Sequence, residues 1–142
     1  MTKTIITIGV SVEAPVEKIW ECWTQPQHIV KWNTASNDWH TTHATNDLRV
    51  GSKFNTRMEA KDGSFGFDFW GIYDEIQVNN RIAYTLGDDR KVEVIFRSEG
   101  NLTQITQIFE AETENSVELQ QRGWQAILNN FKAYAEQQTP TT

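Results

Sequence analysis

The sequence predicts an α+β fold in which a curved antiparallel sheet of about six or seven strands wraps around one long C-terminal helix. Two observations predict this class. Segments with β-type alternation follow one another through the middle of the chain with only short turns between them, and one long amphipathic segment comes last. No helical segment separates these strands, so a parallel sheet with crossover helices is not expected.

The chain opens with one strand and two short helices. Residues Thr4 to Val12 have the period-two pattern of a half-buried strand. Pro15 suits the first turn of a helix, because its missing N–H costs nothing there. The inward stripe of this helix is expected to consist of Val16, Ile19, Trp20 and Trp23. Pro26 ends that helix and starts a second short one that runs to Trp32.

The next segment, Asn33 to Asp47, is predicted to be one long connection. It is rich in Asn, Thr, Ser and Asp and has no apolar period. Connections of this length in compact domains are often functional. Asp38-Trp39-His40 is its most suggestive cluster, because an acid, a large ring and an imidazole suit a lid over a ligand cavity. The alternative is that Trp39 packs as a plug between solvated neighbours.

Five strands are expected after Gly51. They are Lys53 to Ala60, Phe65 to Val78, Arg81 to Leu86, Arg90 to Arg97 and Thr103 to Glu112. The turns between them contain Gly, Asn and Asp and are short enough for antiparallel hairpins. Arg57, Glu59 and Asp68 face one another across the first hairpin, and we expect surface pairing between strands rather than a polar ligand site.

The second of these strands carries rings on both faces. Phe67, Phe69 and Tyr73 share one face, and Trp70 shares the other face with Asp68. We predict that the first face is inward, because a carboxylate such as that of Asp68 belongs in water. The alternative is that these rings only fill the core, and an exposed Trp70 face would instead indicate a dimer surface.

The final helix runs from Val117 through Ala135 with large apolar groups at three- and four-residue steps. Asn115 and Glu118 match a capping box at its start. Gly123 inside this helix costs about 1 kcal/mol relative to Ala, and it indicates either the close approach of a strand, the commoner cause, or space kept for a ligand. We expect a single domain over residues 1–138 and a disordered tail over 139–142.

Charge and composition exclude several functions. The formal net charge is −6, the isoelectric point is near 5.0 and no Lys/Arg cluster occurs, which argues against a nucleic-acid partner. Cys22 is the single cysteine, so an internal disulfide and a multi-Cys metal site are excluded. The three histidines lack the spacing of a zinc site, and no metal or other cofactor is predicted.

The chain has no segment that suits membrane insertion. No apolar run approaches the roughly 18 residues that span a bilayer, and the start lacks the apolar core of a signal peptide. We therefore expect a cytoplasmic protein. A single cysteine fits such a reducing compartment.

Several short strings carry a resemblance to a known family. They are Ala14-Pro15-Val16-Glu17-Lys18-Ile19-Trp20, Trp23-Thr24, Pro26, Lys31-Trp32, Val50-Gly51-Ser52-Lys53-Phe54, Asp62-Gly63, Gly71-Ile72-Tyr73, Glu75-Ile76, Phe109-Glu110 and Gly123-Trp124. In this order they resemble the START-like or helix-grip superfamily, which includes the birch pollen allergen. Within it they resemble the branch named after the activator of the heat-shock-protein-90 ATPase.

The resemblance implies the helix-grip fold and a choice of functions. The superfamily includes lipid and hormone carriers, polyketide cyclases or aromatases, and many small bacterial domains. A chaperone partner is also implied by the name of the branch. The eukaryotic activator resembles a two-domain protein in which a different, preceding domain makes a major chaperone contact.

Our first hypothesis is a protein that holds a small apolar or aromatic ligand between the C-terminal helix and the sheet. The predicted ligand-binding residues are Trp32, Trp39, His40, Phe54, Met58, Phe67, Phe69, Tyr73, Tyr84, Trp124, Leu128 and Phe131, with Trp20 as a further part of the wall. Desolvation of the rings would supply most of the affinity, and His40 would orient the ligand.

Two alternatives belong to other functional classes. The first is an enzyme of polyketide-cyclase type, in which Asp38, His40 or Glu59 faces inward and moves protons in a dry pocket. The second is an interaction module, either a chaperone regulator or a homodimer. It requires an exposed apolar patch on the convex face around Trp70 and Ile72.

Overall fold

The computed structural model describes residues 4–138 of the 142 in the chain. Its elements in chain order are β1 (Ile5–Val12), α1 (Val16–Thr24), α2 (Pro26–Trp32), β2 (Trp39–Asn46), β3 (Lys53–Ala60), β4 (Gly66–Gln77), β5 (Arg81–Leu86), β6 (Lys91–Glu99), β7 (Leu102–Glu110) and α3 (Val117–Gln138). The predicted α+β class is confirmed. The tail predicted over 139–142 lies outside the described residues.

The sheet is antiparallel throughout and has the order β1-β7-β6-β5-β4-β3-β2. Strands β1 and β2 are therefore its two edges, although they are consecutive strands of the chain. Helices α1 and α2 connect one edge to the other. Helix α3 packs against β1, α1 and α2, so the curved sheet grips it as the helix-grip fold requires.

The prediction of one long connection over residues 33–47 was wrong. Residues Trp39–Asn46 form the edge strand β2, which pairs with β3 in a register that shifts between Thr41 and His43. The sequence of β2 has no apolar period because the single buried residue of this strand is Thr41. The hydroxyl of Thr41 donates to the backbone oxygen of Asn33 at 2.7 Å, so this position is filled by a polar side chain with a partner.

Helix α1 presents the predicted stripe to the interior. Ile19 is fully buried, Val16 and Trp20 are buried, and Trp23 packs against the core from a partly exposed position. Pro26 occupies the first turn of α2, as predicted, because its fixed φ suits that place and its missing N–H costs nothing.

The start of α3 has a different cap from the one predicted. Ser116 accepts a hydrogen bond at its Oγ from the N–H of Leu119 at 3.0 Å, which is the bond of an N-cap serine. Asn115 instead donates its N–H to the carboxylate of Glu112 at 2.7 Å. The buried amide of Gln120 accepts from the N–H of Glu112 at 2.8 Å and donates to the backbone oxygen of Asn115 at 2.9 Å. These bonds fix the connection that leads into the helix.

Helix α3 covers the β1 edge of the sheet with polar contacts. The side chain of Gln125 donates to the backbone oxygen of Gly9 at 3.1 Å, and Lys132 donates to that of Ser11 at 2.6 Å. Backbone groups of an edge strand need such partners, since they otherwise attract other chains. These contacts hold α3 near β1, on the side of the sheet away from β3 and β4.

The C-terminal half of α3 packs into a solid core of rings. Phe131 is fully buried, and its ring centre lies 4.8 Å from that of Trp23 and 4.9 Å from that of Trp32. Trp20 packs edge-on against Phe96 at 5.5 Å. Within residues 4–138, none of the helices has the length and hydropathy of a membrane span.

Candidate functional site

A pocket of about 230 Å³ lies between the sheet and the helices, where α3 and α2 leave the strands from β3 to β5 uncovered. It is lined by Trp23, Ile29, Trp32, Asn33, Thr45, Asn46, Phe54, Thr56, Met58, Phe67, Phe69, Tyr73, Ile82, Tyr84, Gln107, Trp124 and Ile127. Aromatic side chains form much of this wall. The pocket exists here because the helix is held against the far edge of the sheet.

Most of the residues predicted to bind a ligand line this pocket. They are Trp32, Phe54, Met58, Phe67, Phe69, Tyr73, Tyr84 and Trp124. The inward orientation predicted for Phe69 and Tyr73 therefore agrees with the structure, whereas Phe67 borders the pocket while 39 % exposed. Their contribution to binding stays a prediction.

The remaining predicted residues lie elsewhere. Leu128 and Phe131 are fully buried in the solid core, because the apolar stripe of α3 continues past the pocket. Trp20 is also core. His40 is exposed on β2, and Trp39 contacts the ring of Phe67 at 5.8 Å outside the pocket. Neither residue forms the lid that the sequence suggested, because both belong to a paired strand.

The rings of the wall hold one another in place. Trp124 stacks on Phe109 with ring centres 3.8 Å apart and planes at 12°. The ring of Phe54 lies 5.3 Å from that of Tyr73 and 4.8 Å from that of Tyr84. Such contacts restrict rotation of the side chains, so the pocket has a defined shape before anything occupies it.

A chain of hydrogen bonds crosses the polar part of the pocket. The hydroxyl of Tyr73 donates to Oδ1 of Asn46 at 2.5 Å, and Nδ2 of Asn46 donates to the backbone oxygen of Thr24 at 2.5 Å. Because the hydroxyl of Tyr73 donates its proton to Asn46, the hydroxyl oxygen of Tyr73 can act only as a hydrogen-bond acceptor towards the pocket. Burial raises the pKa of Tyr73 above its ordinary value, against the opposing effect of the Asn46 hydrogen bond.

Four further polar side chains line the pocket and make no hydrogen bond among residues 4–138, those of Asn33, Thr45, Tyr84 and Gln107. The side chain of Gln107 makes no hydrogen bond within this range, although the residue is only 6 % exposed. The hydroxyl of Tyr84 also makes none, and burial is the main cause that raises its pKa. Gln107 was not predicted from the sequence. The available signal was a glutamine in register between the inward residues Ile105 and Phe109.

None of the pocket-lining residues carries a formal charge at neutral pH. Asp38 is exposed, and Glu59 lies on the outer face, where its carboxylate accepts from Arg57 at 3.0 Å. Arg57 also lies 3.7 Å from Asp68, which confirms the predicted pairing between strands. Asp38, His40 and Glu59 therefore do not reach a molecule in the pocket.

The family of the chain follows from comparison with known proteins. Residues 13–136 match the family model described as activator of Hsp90 ATPase homolog 1-like protein. The chain belongs to this family. The match spans nearly all of the described fold, in agreement with the resemblance found in the sequence.

Solved structures of similar proteins share the fold of this family member. An AHSA1-like protein from Aeromonas hydrophila superposes with a TM-score of 0.90 at 40% identity, covering 98% of this chain and 99% of that one. A protein from Cytophaga hutchinsonii has 52% identity and a TM-score of 0.81, with 93% and 92% covered. A protein from Chromobacterium violaceum shares the fold at 21% identity, with a TM-score of 0.83 and 93% and 96% covered. No curated protein matches the chain.

Trp70 is exposed on the outer face of this family member and is contacted by two neighbouring residues. Trp70 is 37 % exposed, and Nζ of Lys53 lies 4.5 Å from its ring centre. A Cβ on Gly87 would come within 2.5 Å of the same ring, so the indole lies directly on that glycine. Lys53 and Gly87 thus cover part of the apolar patch around Trp70 that the hypothesis of an interaction module requires.

The Cβ position of Gly123 faces open space among the residues that the structure describes. A Cβ at this position would meet no atom within 4 Å, so the close approach of a strand predicted from the sequence was wrong. The residue precedes Trp124, which lines the pocket. Open space beside the helix is consistent with the other interpretation of this glycine, room kept next to a ligand.

Proposed function

We propose that this protein binds a small apolar or aromatic molecule in the pocket between α3 and the sheet. The observation that carries the proposal is the pocket itself, walled by mutually packed rings and by no charged side chain. Concave apolar sites with a few placed polar groups are typical of small-molecule binding. A core that only needed to be filled would not keep this volume open.

The volume limits the size of the ligand. An apolar cavity of about 150 Å³ accepts benzene, and drug-sized ligands occupy pockets that start at about 300 Å³. At about 230 Å³ the pocket lies between these values. The ligand is therefore expected to have one or two rings rather than the four of a sterol.

The affinity expected from apolar contact alone is weak. A two-ring molecule comparable to an indole side chain buries about 200 Å², which at about 25 cal/mol per Å² gives about 5 kcal/mol before ordering costs. Apolar contact alone therefore gives a Kd no lower than about 0.2 mM, because the ordering costs are still to be subtracted. Hydrogen bonds to the polar groups of the pocket would add to the affinity.

The other functional classes have less support. An acid/base enzyme needs a titratable group near neutral pKa in the pocket, and Asp38, His40 and Glu59 lie outside it. A chaperone partner and a homodimer stay predictions, and Lys53 lies over part of the Trp70 ring that such an interface would use.

Titration with indole, an uncharged two-ring compound, tests the proposal. We expect saturable shifts in the ¹⁵N–¹H spectrum that are largest for Trp124 and its neighbours. Ile127→Trp fills the pocket from α3 and should abolish binding. Leu119→Trp is the matched control, because Leu119 lies on the same helix and is 54 % exposed outside the pocket. Equal binding by both variants, or the absence of saturable shifts, contradicts the proposal.

A further inference from the structure

Gln107 is an amide on the concave face of the sheet where the strand pattern calls for an apolar residue. It lies on β7 between the inward side chains Ile105 and Phe109, and opposite Ile8 and Val94 on the neighbouring strands. These four neighbours are all buried and apolar. The side chain of Gln107 lines the pocket and makes no hydrogen bond with residues 4–138.

The polar atoms of Gln107 reach the open volume of the pocket. They are not among the fully enclosed side-chain atoms that lack a partner within residues 4–138, although the residue as a whole is only 6 % exposed. A leucine at position 107 would continue the apolar pattern of its neighbours without removing any hydrogen bond of the fold. The amide of Gln107 therefore presents a donor and an acceptor to the pocket.

The chemistry of a carboxamide specifies its partner. Its oxygen accepts hydrogen bonds and its nitrogen donates them, and both atoms lie side by side at one end of the side chain. A partner that satisfies both must present a donor and an acceptor next to each other. A cis amide within a ring, a lactam, does so in the plane of its own ring.

The other polar groups of the pocket agree with an uncharged partner. Tyr84 offers a hydroxyl that is not committed to another residue among residues 4–138, and Tyr73 offers an acceptor. No lining residue supplies a counter-charge. A charged ligand would lose its hydration without compensation, so the pocket discriminates against it.

We propose, as an extension of the proposed function and dependent on it, that Gln107 selects the ligand. The pocket takes a neutral compound of one or two rings with adjacent donor and acceptor groups, of the lactam type. The carboxamide of Gln107 forms two hydrogen bonds with that group, the rings occupy the aromatic wall, and the hydroxyl of Tyr84 provides a third polar contact.

Three bicyclic compounds of similar shape test this assignment. Quinolin-2(1H)-one has the donor and the acceptor, its N-methyl derivative lacks the donor, and naphthalene lacks both. Their Kd values are measured by NMR titration against the wild type and Gln107→Leu. Gln104→Leu makes the same change on the same strand but outside the pocket lining.

We expect the wild type to bind the lactam about ten-fold more tightly than naphthalene, with the N-methyl compound close to naphthalene. Gln107→Leu should remove this preference and leave naphthalene binding within about three-fold. Gln104→Leu should keep the preference. Tyr84→Phe should weaken lactam binding, whereas Tyr134→Phe, whose hydroxyl pairs with His28 at 2.6 Å away from the pocket, should not.

The possible failures are distinguishable. If the wild type binds the three compounds equally, or Gln107→Leu keeps the preference, the role of Gln107 is overturned while the binding function stands. If neither these compounds nor indole binds, the proposed function fails and this inference fails with it.

Discussion

The hydroxyl of Tyr73 and the side chain of Asn46 are joined at 2.5 Å across the intervening strand β3. The side-chain nitrogen of Asn46 also donates a hydrogen bond to the backbone oxygen of Thr24, the last residue of α1. Three elements that are distant in the chain therefore meet at one amide. That amide also lines the pocket, so the same bonds that hold the elements together define its polar end.

Asn46→Ala should lower the free energy of unfolding by about 1–3 kcal/mol, because it leaves the Tyr73 hydroxyl and the Thr24 carbonyl without their partner. Tyr73→Phe should cost about 1 kcal/mol, since Asn46 retains its other bond. Urea unfolding of both single variants and the double variant measures the coupling. Asn37→Ala, at an exposed position, is the control. Additive losses would mean that the two side chains do not interact.

Stability should fall in alkaline solution because of the buried phenols. Burial raises the pKa values of Tyr73 and Tyr84 in the folded protein. Above the ordinary tyrosine pKa of about 10, the unfolded chain loses these protons while the folded chain keeps them. Unfolding then releases protons, so the stabilisation that is fully present below about pH 10 is lost as pH rises.

The size of this loss is at most about 1.4 kcal/mol per pH unit for each tyrosine. Urea midpoints between about pH 8 and about pH 11.5, which bracket the ordinary tyrosine pKa, measure it. Tyr84→Phe should make the decline shallower, and Tyr73→Phe should do the same, because phenylalanine has no proton to lose. An unchanged slope in both variants would assign the alkaline transition to other groups.

Gly123→Ala should stabilise the protein by about 0.5–1 kcal/mol, because the residue lies inside α3 and its Cβ would meet no atom within 4 Å. Gly71→Ala is the opposing control. A Cβ there would come within 2.8 Å of the Phe54 ring and of the Thr85 carbonyl, so it should destabilise the sheet. Thermal unfolding of both variants makes the comparison. A destabilised Gly123→Ala would show that the space beside the helix is not open.

The sequence predicted the elements that bury apolar residues at a regular period. Helix α3 and strands β3 to β7 begin and end close to their predicted bounds. Strand β2 escaped prediction because its buried position is Thr41, whose partner is the Asn33 carbonyl 2.7 Å away. A side chain that satisfies a distant backbone group leaves no apolar pattern in the sequence.

The sequence predicted which side chains point inward at the site, but not which of them border the pocket. Inward rings such as Phe69 and Trp124 follow from strand and helix periods. Whether a ring borders open space depends on how far α3 lies from the sheet, which bonds such as that between Gln125 and Gly9 decide. Leu128 belongs to the same stripe as Trp124 but lies where the helix packs tightly. No local pattern distinguishes these two positions.

Trp124 and Trp39 provide the direct test of the revised site. Trp124 lines the pocket and stacks on Phe109, whereas Trp39 contacts Phe67 outside it. Trp124→Ala should weaken indole binding by about ten-fold or more, since one wall of the pocket disappears. Trp39→Ala should change the Kd by less than about three-fold. Calorimetric titration of both folded variants gives the comparison. A larger effect of Trp39→Ala would place the ligand beside Trp39, as the sequence first suggested.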